Sequence, residues 1–288
     1  MHVVLRRWLT ISLLNLVLVA TLGVLLRYKI AFSLPFVQQK FVLHSHSHFA
    51  FSGWITQTLM VLLVHYLSMA KGTHLFARYR WLLYANLACS YGMLLSFIYQ
   101  GYAFFSISFS TLSILVSYCF AVYCWKDINR LAKKSIAHSW LKASLVFSVL
   151  SSIGAFSLAY MMANKITHQN WYLACIYFFL HFQYNGWFFF AGMGLLVARL
   201  EPLVGAVNKM KWVFILFCAA CVPAYFLSAL WLPFPGFLYI VIAAAVVAQL
   251  AGWWMLLQLI IHNKQAVCNF FGKYGKPILM LVAIAFSV

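Results

Sequence analysis

Eight apolar runs of roughly 20 residues, parted by short polar breaks, decide what this chain can become. Each is long enough to cross the roughly 30 Å hydrocarbon core as a helix, and in lipid only helices and closed barrels satisfy their own backbone. The runs predict spans at about 8–26, 41–69, 79–100, 102–125, 143–163, 171–198, 212–232 and 237–261. A ninth apolar run begins at Pro277 and ends at Val288, too short to cross. The expectation is an all-α polytopic bundle of eight full spans plus a partial ninth, one transmembrane domain over residues 1–288. With 66% hydrophobic and 8% charged residues, against about a quarter charged in soluble domains, a water-soluble globule is excluded. No internal repeat or soluble domain boundary is expected.

The first run follows Arg6-Arg7 and is longer than a signal-peptide core, and Ala20-Thr21-Leu22 is a poor cleavage site, so it reads as a retained anchor. Gln100-Gly101 predicts a tight turn that makes the third and fourth spans antiparallel neighbours. Pro233-Phe234-Pro235-Gly236 predicts another turn before the eighth.

A net charge of +18 would suggest nucleic acid in a soluble protein. Here Lys and Arg fall between the apolar runs and orient the chain instead. With spans alternating, 16 of the 20 basic residues lie on the side of the N-terminus. The positive-inside rule then sets the N-terminus in the cytoplasm, of a bacterial inner membrane, with the lipid bilayer as partner and no nucleic acid. Asp127 and Glu201 are the two acids of the chain, and both are expected in loops. Coupled transport that relies on intramembrane carboxylates is thereby disfavoured. Seven cysteines, mostly within apolar runs, read as small buried side chains rather than a disulfide framework.

The chemistry concentrates in two stretches, His44-Ser45-His46-Ser47-His48-Phe49-Ala50-Phe51-Ser52-Gly53-Trp54 and Leu180-His181-Phe182-Gln183-Tyr184-Asn185-Gly186-Trp187. On a helix His44 and His48 share a face while His46 points away; a frayed first turn would let all three converge. An imidazole inside the hydrocarbon zone must find a partner, because unpaired ring nitrogens there cost kilocalories. His48 and His181 lie deepest, so they are candidate ligands of a haem or a metal ion. Otherwise each bonds a neighbouring helix. Gly186 and the aromatics after it suit the close approach of a helix or a planar ligand.

In these two stretches the chain resembles the heme-copper oxidase subunit I superfamily, in the broad sense that includes haem- and copper-containing membrane proteins of the nitric-oxide response. It looks similar to a bacterial multi-span branch carrying a similar His-x-His-Ser-His…Gly-Trp start to the second span and Leu-His-Phe-Gln-Tyr-Asn-Gly-Trp in the sixth. The resemblance implies that His48, or else His44 or His46, stands where helix two supplies a haem ligand, and that His181 stands where helix six supplies a copper ligand. It implies haem b or copper as cofactor, Tyr184 as a neighbour of that site, and respiratory-chain subunits or a redox donor as partners. Tyr184 follows His181 by three residues where the oxidase tyrosine follows by four, and the seventh span lacks the adjacent histidine pair. The expected function is electron transfer or a gas-related redox step. A copper or haem carrier, an assembly factor with His44, His46 and His48 as an inlet relay, and a structural subunit are the alternatives.

Overall fold

Helices in this chain stop where glycine, proline or a polar break interrupts the apolar pattern. The computed structural model describes residues 2–272, and they form α1 (His2–Ala31), α2 (Gln39–Lys71), α3 (Phe76–Gln100), α4 (Phe104–Asn129), α5 (Ala137–Ala163), α6 (Gln169–Val204), α7 (Val207–Ala229) and α8 (Gly236–His262). Residues 264–272 are helical as well, and no strand occurs among the described residues. All eight helices are long and apolar enough to cross a membrane, which makes the protein a multi-pass helical bundle. The apolar run from Pro277 lies outside the described residues. Val24, Ile240, Val247 and Trp254 stand exposed on the outer helices, as lipid contact requires.

The turn at Gly101 makes α3 and α4 packed neighbours, as expected. Its φ is +62°, and a Cβ there would sit 2.4 Å from the Phe41 ring, so both backbone and space call for glycine. Helix α5 starts six residues before its apolar run, because the Ser135 hydroxyl accepts the Ala137 N–H at 3.1 Å and the Lys142 ammonium lies over the Trp125 ring. Hydropathy alone misses a helix end held by polar groups.

The two acids are not in loops. Asp127 is fully buried in the last turn of α4, where it accepts from Arg78 at 2.8 Å and from the Tyr79 hydroxyl at 2.7 Å. Glu201 lies near the end of α6 and accepts from Ser135. Both tie helix ends together on the basic side of the bundle.

Helices α5–α8 repeat the plan of α1–α4, a correspondence that span counting does not reveal. His48-Phe49-Ala50-Phe51-Ser52-Gly53-Trp54 and His181-Phe182-Gln183-Tyr184-Asn185-Gly186-Trp187 share the pattern His-Phe-x-aromatic-(Ser/Asn)-Gly-Trp, 133 positions apart. At the same spacing α2 and α6 end on Gly72 and Gly205, both left-handed, with φ +67° and +65°. Each of these helices widens into a π segment just after its histidine, at Ala50–Thr56 and Phe182–Phe188. Helix α1 packs on the first π segment and α5 on the second. The two larger apolar clusters divide in the same way, one joining α1–α4 with Leu141, Leu145, Trp187 and Ala191 and the other mostly within α5–α8, while a small third joins Val19, Phe49 and Leu94.

The π segments present carbonyls that neighbouring helices also bond. Asn15 on α1 donates to the Gly53 carbonyl at 2.5 Å, and Asn86 on α3 donates to the Ser52 carbonyl at 3.0 Å. In the second half the equivalent carbonyl, that of Asn185, accepts from the Cys221 thiol on α7 at 3.6 Å.

Candidate functional site

Because α2 is regular from Gln39 through Phe49, the three clustered imidazoles do not converge. His44 and His48, one turn apart, face α3 and the turn after it. The His48 ring stacks on Phe97 at 4.4 Å with an 18° interplanar angle, and its Nε2 is hydrogen-bonded to the Tyr102 hydroxyl at 3.0 Å. The His44 ring meets Tyr102 edge-on at 4.6 Å, and its Nε2 is buried without a hydrogen-bond partner. His46 turns to the other side, where its Nδ1 donates to the Val19 carbonyl on α1 at 3.1 Å over Gly23.

Tyr102 lies between α3 and α4, and the reading of the sequence did not single it out. The tight Gln100-Gly101 turn is the signal that would have found it, since that turn brings the next side chain back over the start of α2. Its phenol is pushed up to about 12 by burial and by nearby Tyr172. It therefore stays protonated at neutral pH and meets His48 as a neutral hydroxyl.

His181 is 5% exposed and faces α7. Its Nε2–H donates to the Cys221 carbonyl at 2.8 Å, while Nδ1 accepts from the Asn185 amide at 3.2 Å. Both ring nitrogens are therefore engaged by the protein. Tyr184 does not join His181: half exposed, it packs on Phe51 and Phe188.

The structure thus unites His44, His48, Phe97 and Tyr102 at the end of the bundle opposite the basic loops. His46 and His181 stand apart from that group, against α1 and α7. Among the described residues no group of three or more His, Cys, Asp or Glu is arranged to hold a metal ion. The cysteines are all free thiols. No family model, curated protein or solved structure matches this chain.

What decides between occupants is which nitrogens are available. A porphyrin shared by His48 and His181 would require His181 to exchange one of its two hydrogen bonds for the iron, and the two rings to turn toward each other from different helices. A single ion at His44 and His48 requires only that Tyr102 release one nitrogen.

Proposed function

We propose that this multi-pass membrane protein binds a transition-metal ion, copper by ligand type, through His44 and His48, with Tyr102 orienting the second imidazole. The observation that carries the reading is the buried His44 Nε2 without a partner, on the same helix face as His48. A buried imidazole nitrogen left unpaired is costly, and metal coordination is one way to satisfy it. Imidazole suits copper, zinc, iron and nickel, and copper heads the affinity order for nitrogen sites. The two rings sit one helical turn apart, as two ligands on one helix face require.

Each residue then has a task. Phe97 fixes the plane of His48 by stacking, and the neutral Tyr102 hydroxyl holds its Nε2 until the ligand arrives. A copper ion held there would supply a one-electron couple or a cargo for delivery. Respiratory-chain subunits are the recipients implied by the resemblance to heme-copper oxidases. Haem b, the other cofactor so implied, depends on His181 as well.

The test is a titration of detergent-purified protein with copper(II), read by electron paramagnetic resonance and elemental analysis. One ion per chain is expected, with affinity about tenfold weaker or worse in His44→Ala and in His48→Ala, and unchanged in His46→Ala. Binding that survives the His44→Ala/His48→Ala double variant would overturn the reading. A reduced-minus-oxidised spectrum of the same preparation examines haem: Soret and α bands that vanish in both His48→Ala and His181→Ala would replace the ion by a haem.

A further inference from the structure

The repeated halves meet around a cavity, and its chemistry is unlike that of the histidine cluster. About 110 Å³ in volume, it lies between α2, α3 and α4 of the first half and α5 and α6 of the second. His48 stands at one end of it, and Ser52, Thr56, Asn86, Ser110, Ser117 and Gln183 are among the residues that line it. At 1.5 Å per residue it extends about 12 Å along α2 from His48 to Thr56. Asn86, Ser117 and Gln183 all fall near the middles of their helices.

Several polar atoms of this cavity are acceptors. The Ser52, Ser110 and Ser117 hydroxyls donate to the carbonyls of His48, Ser106 and Ile114 on their own helices, at 2.8, 2.8 and 2.7 Å, which leaves their oxygen lone pairs to face inward. Asn86 is 1% exposed. Its amide nitrogen must be the donor, because it bonds the Ser52 carbonyl at 3.0 Å as well as Gln57 Oε1 at 2.9 Å. Its Oδ1 is consequently an acceptor, buried and without a partner. No Asp, Glu, Lys or Arg lines the cavity, so a charged occupant would lack a counter-charge at the level where one matters most.

Position adds a second argument. In membrane proteins built from two repeats, small-solute sites lie near the midplane between the repeats, beside helices interrupted at corresponding places, and rocking of one repeat against the other exposes the site to each side in turn. Here α2 and α6 run unbroken, and each carries a π segment beside the cavity, at Ala50–Thr56 and Phe182–Phe188. They touch through Phe51 against Phe179, Tyr184 and Phe188, and the Trp187 indole donates to the Thr56 hydroxyl at 3.2 Å.

We propose that the cavity between the two four-helix repeats binds a small uncharged solute rich in N–H or O–H donors, of the urea or short-polyol class, and passes it across the membrane. The volume suits about four non-hydrogen atoms, the size of urea, since a cavity near 150 Å³ holds benzene. The cavity shares His48 with the proposed metal site, but the solute path is argued from Asn86 and the serines and needs no bound metal.

Purified protein in liposomes, challenged with inward gradients of urea or glycerol and followed by stopped-flow light scattering, tests it. Solute flux at least about fivefold above protein-free liposomes is expected. Asn86→Leu, which removes the unpaired acceptor, and Ser117→Phe, which fills the cavity from the half-exposed α4, should each return it to background. Cys119→Ala, at an exposed thiol of α4 outside the cavity and the proposed metal site, should leave it intact. Solute flux equal to that of protein-free liposomes overturns the proposal, including the case in which only water permeability rises. Flux that persists in well-folded Ser117→Phe overturns it too, and this arm decides should Asn86→Leu fail to fold.

Discussion

His48 and His181 occupy equivalent places in two repeated helices, each followed by Phe, a π segment and Gly-Trp, yet their surroundings give them different work. His181 is locked, with one nitrogen on the Cys221 carbonyl and the other on Asn185. The His48 ring is hydrogen-bonded to the Tyr102 hydroxyl, stacks on Phe97, and borders both the His44 cluster and the cavity between the halves. The comparison shows that one local geometry serves a structural role where the third helix offers a carbonyl and a binding role where it offers an aromatic ring and a phenol.

The two glycines break this comparison most sharply. A Cβ at Gly186 would lie 2.5 Å from the Phe147 Cβ on α5, which cannot move without its helix. At Gly53 the clash, at 2.6 Å, is with the far edge of the Phe49 ring on the same helix. Gly186→Ala is expected to cost about 3 kcal/mol and Gly53→Ala about 1 kcal/mol, measured as unfolding in detergent. Equal losses would show that the two π segments are packed alike.

Next in size are the acids at the basic end, one in each half, Asp127 buried and Glu201 half-buried. Asp127→Asn weakens a fully buried acceptor of Arg78 and Tyr79 and should cost about 2–3 kcal/mol. Glu201→Gln, at a half-buried carboxylate bonded to Ser135, should cost under about 1 kcal/mol. The same unfolding assay ranks them.

The histidines themselves sharpen the contrast. His181→Ala strands a buried Cys221 carbonyl and the Asn185 amide, so a loss of about 2 kcal/mol is expected with no change in copper affinity. His48→Ala should cost about 1 kcal/mol or less while copper binding falls. A reversed pattern, with His181 carrying the metal, would unseat the assignment of roles.

The smallest effect concerns Tyr102. Because burial raises its phenol to about 12, Tyr102→Phe should leave the tyrosinate absorbance gained below pH 11 unchanged, and the protonated hydroxyl persists beside His48 throughout that range. Absorbance lost from that window in the variant would mean that Tyr102 ionises in the ordinary range.

Much of this was legible before any coordinates. Eight spans, the tight turn at Gly101, the shared face of His44 and His48 and the opposite bearing of His46 all follow from run length and helical periodicity, which act over a few residues and are written locally. The helix ends before residue 143 and around Asp127 were not legible, because Ser135, Lys142, Arg78 and Tyr79 hold them by contacts that hydropathy does not register. The repeat was missed for a related reason: most equivalent positions carry different apolar side chains, and lipid-facing residues need only be apolar, so four identities in seven residues are the trace that remains.

What the sequence by itself determined, then, is the environment, the number of crossings and which side chains are polar at membrane depth. Which of those polar atoms are left unpaired was decided by tertiary structure alone. His181 and His48 differ through groups 40 and 54 positions away, Cys221 and Tyr102. The acceptor character of the cavity arises only when α2, α3 and α4 meet α5 and α6. Hydrogen bonding is short-ranged and directional, so a polar residue acquires its function from the neighbour that packing brings within about 3 Å, and no local pattern specifies that neighbour.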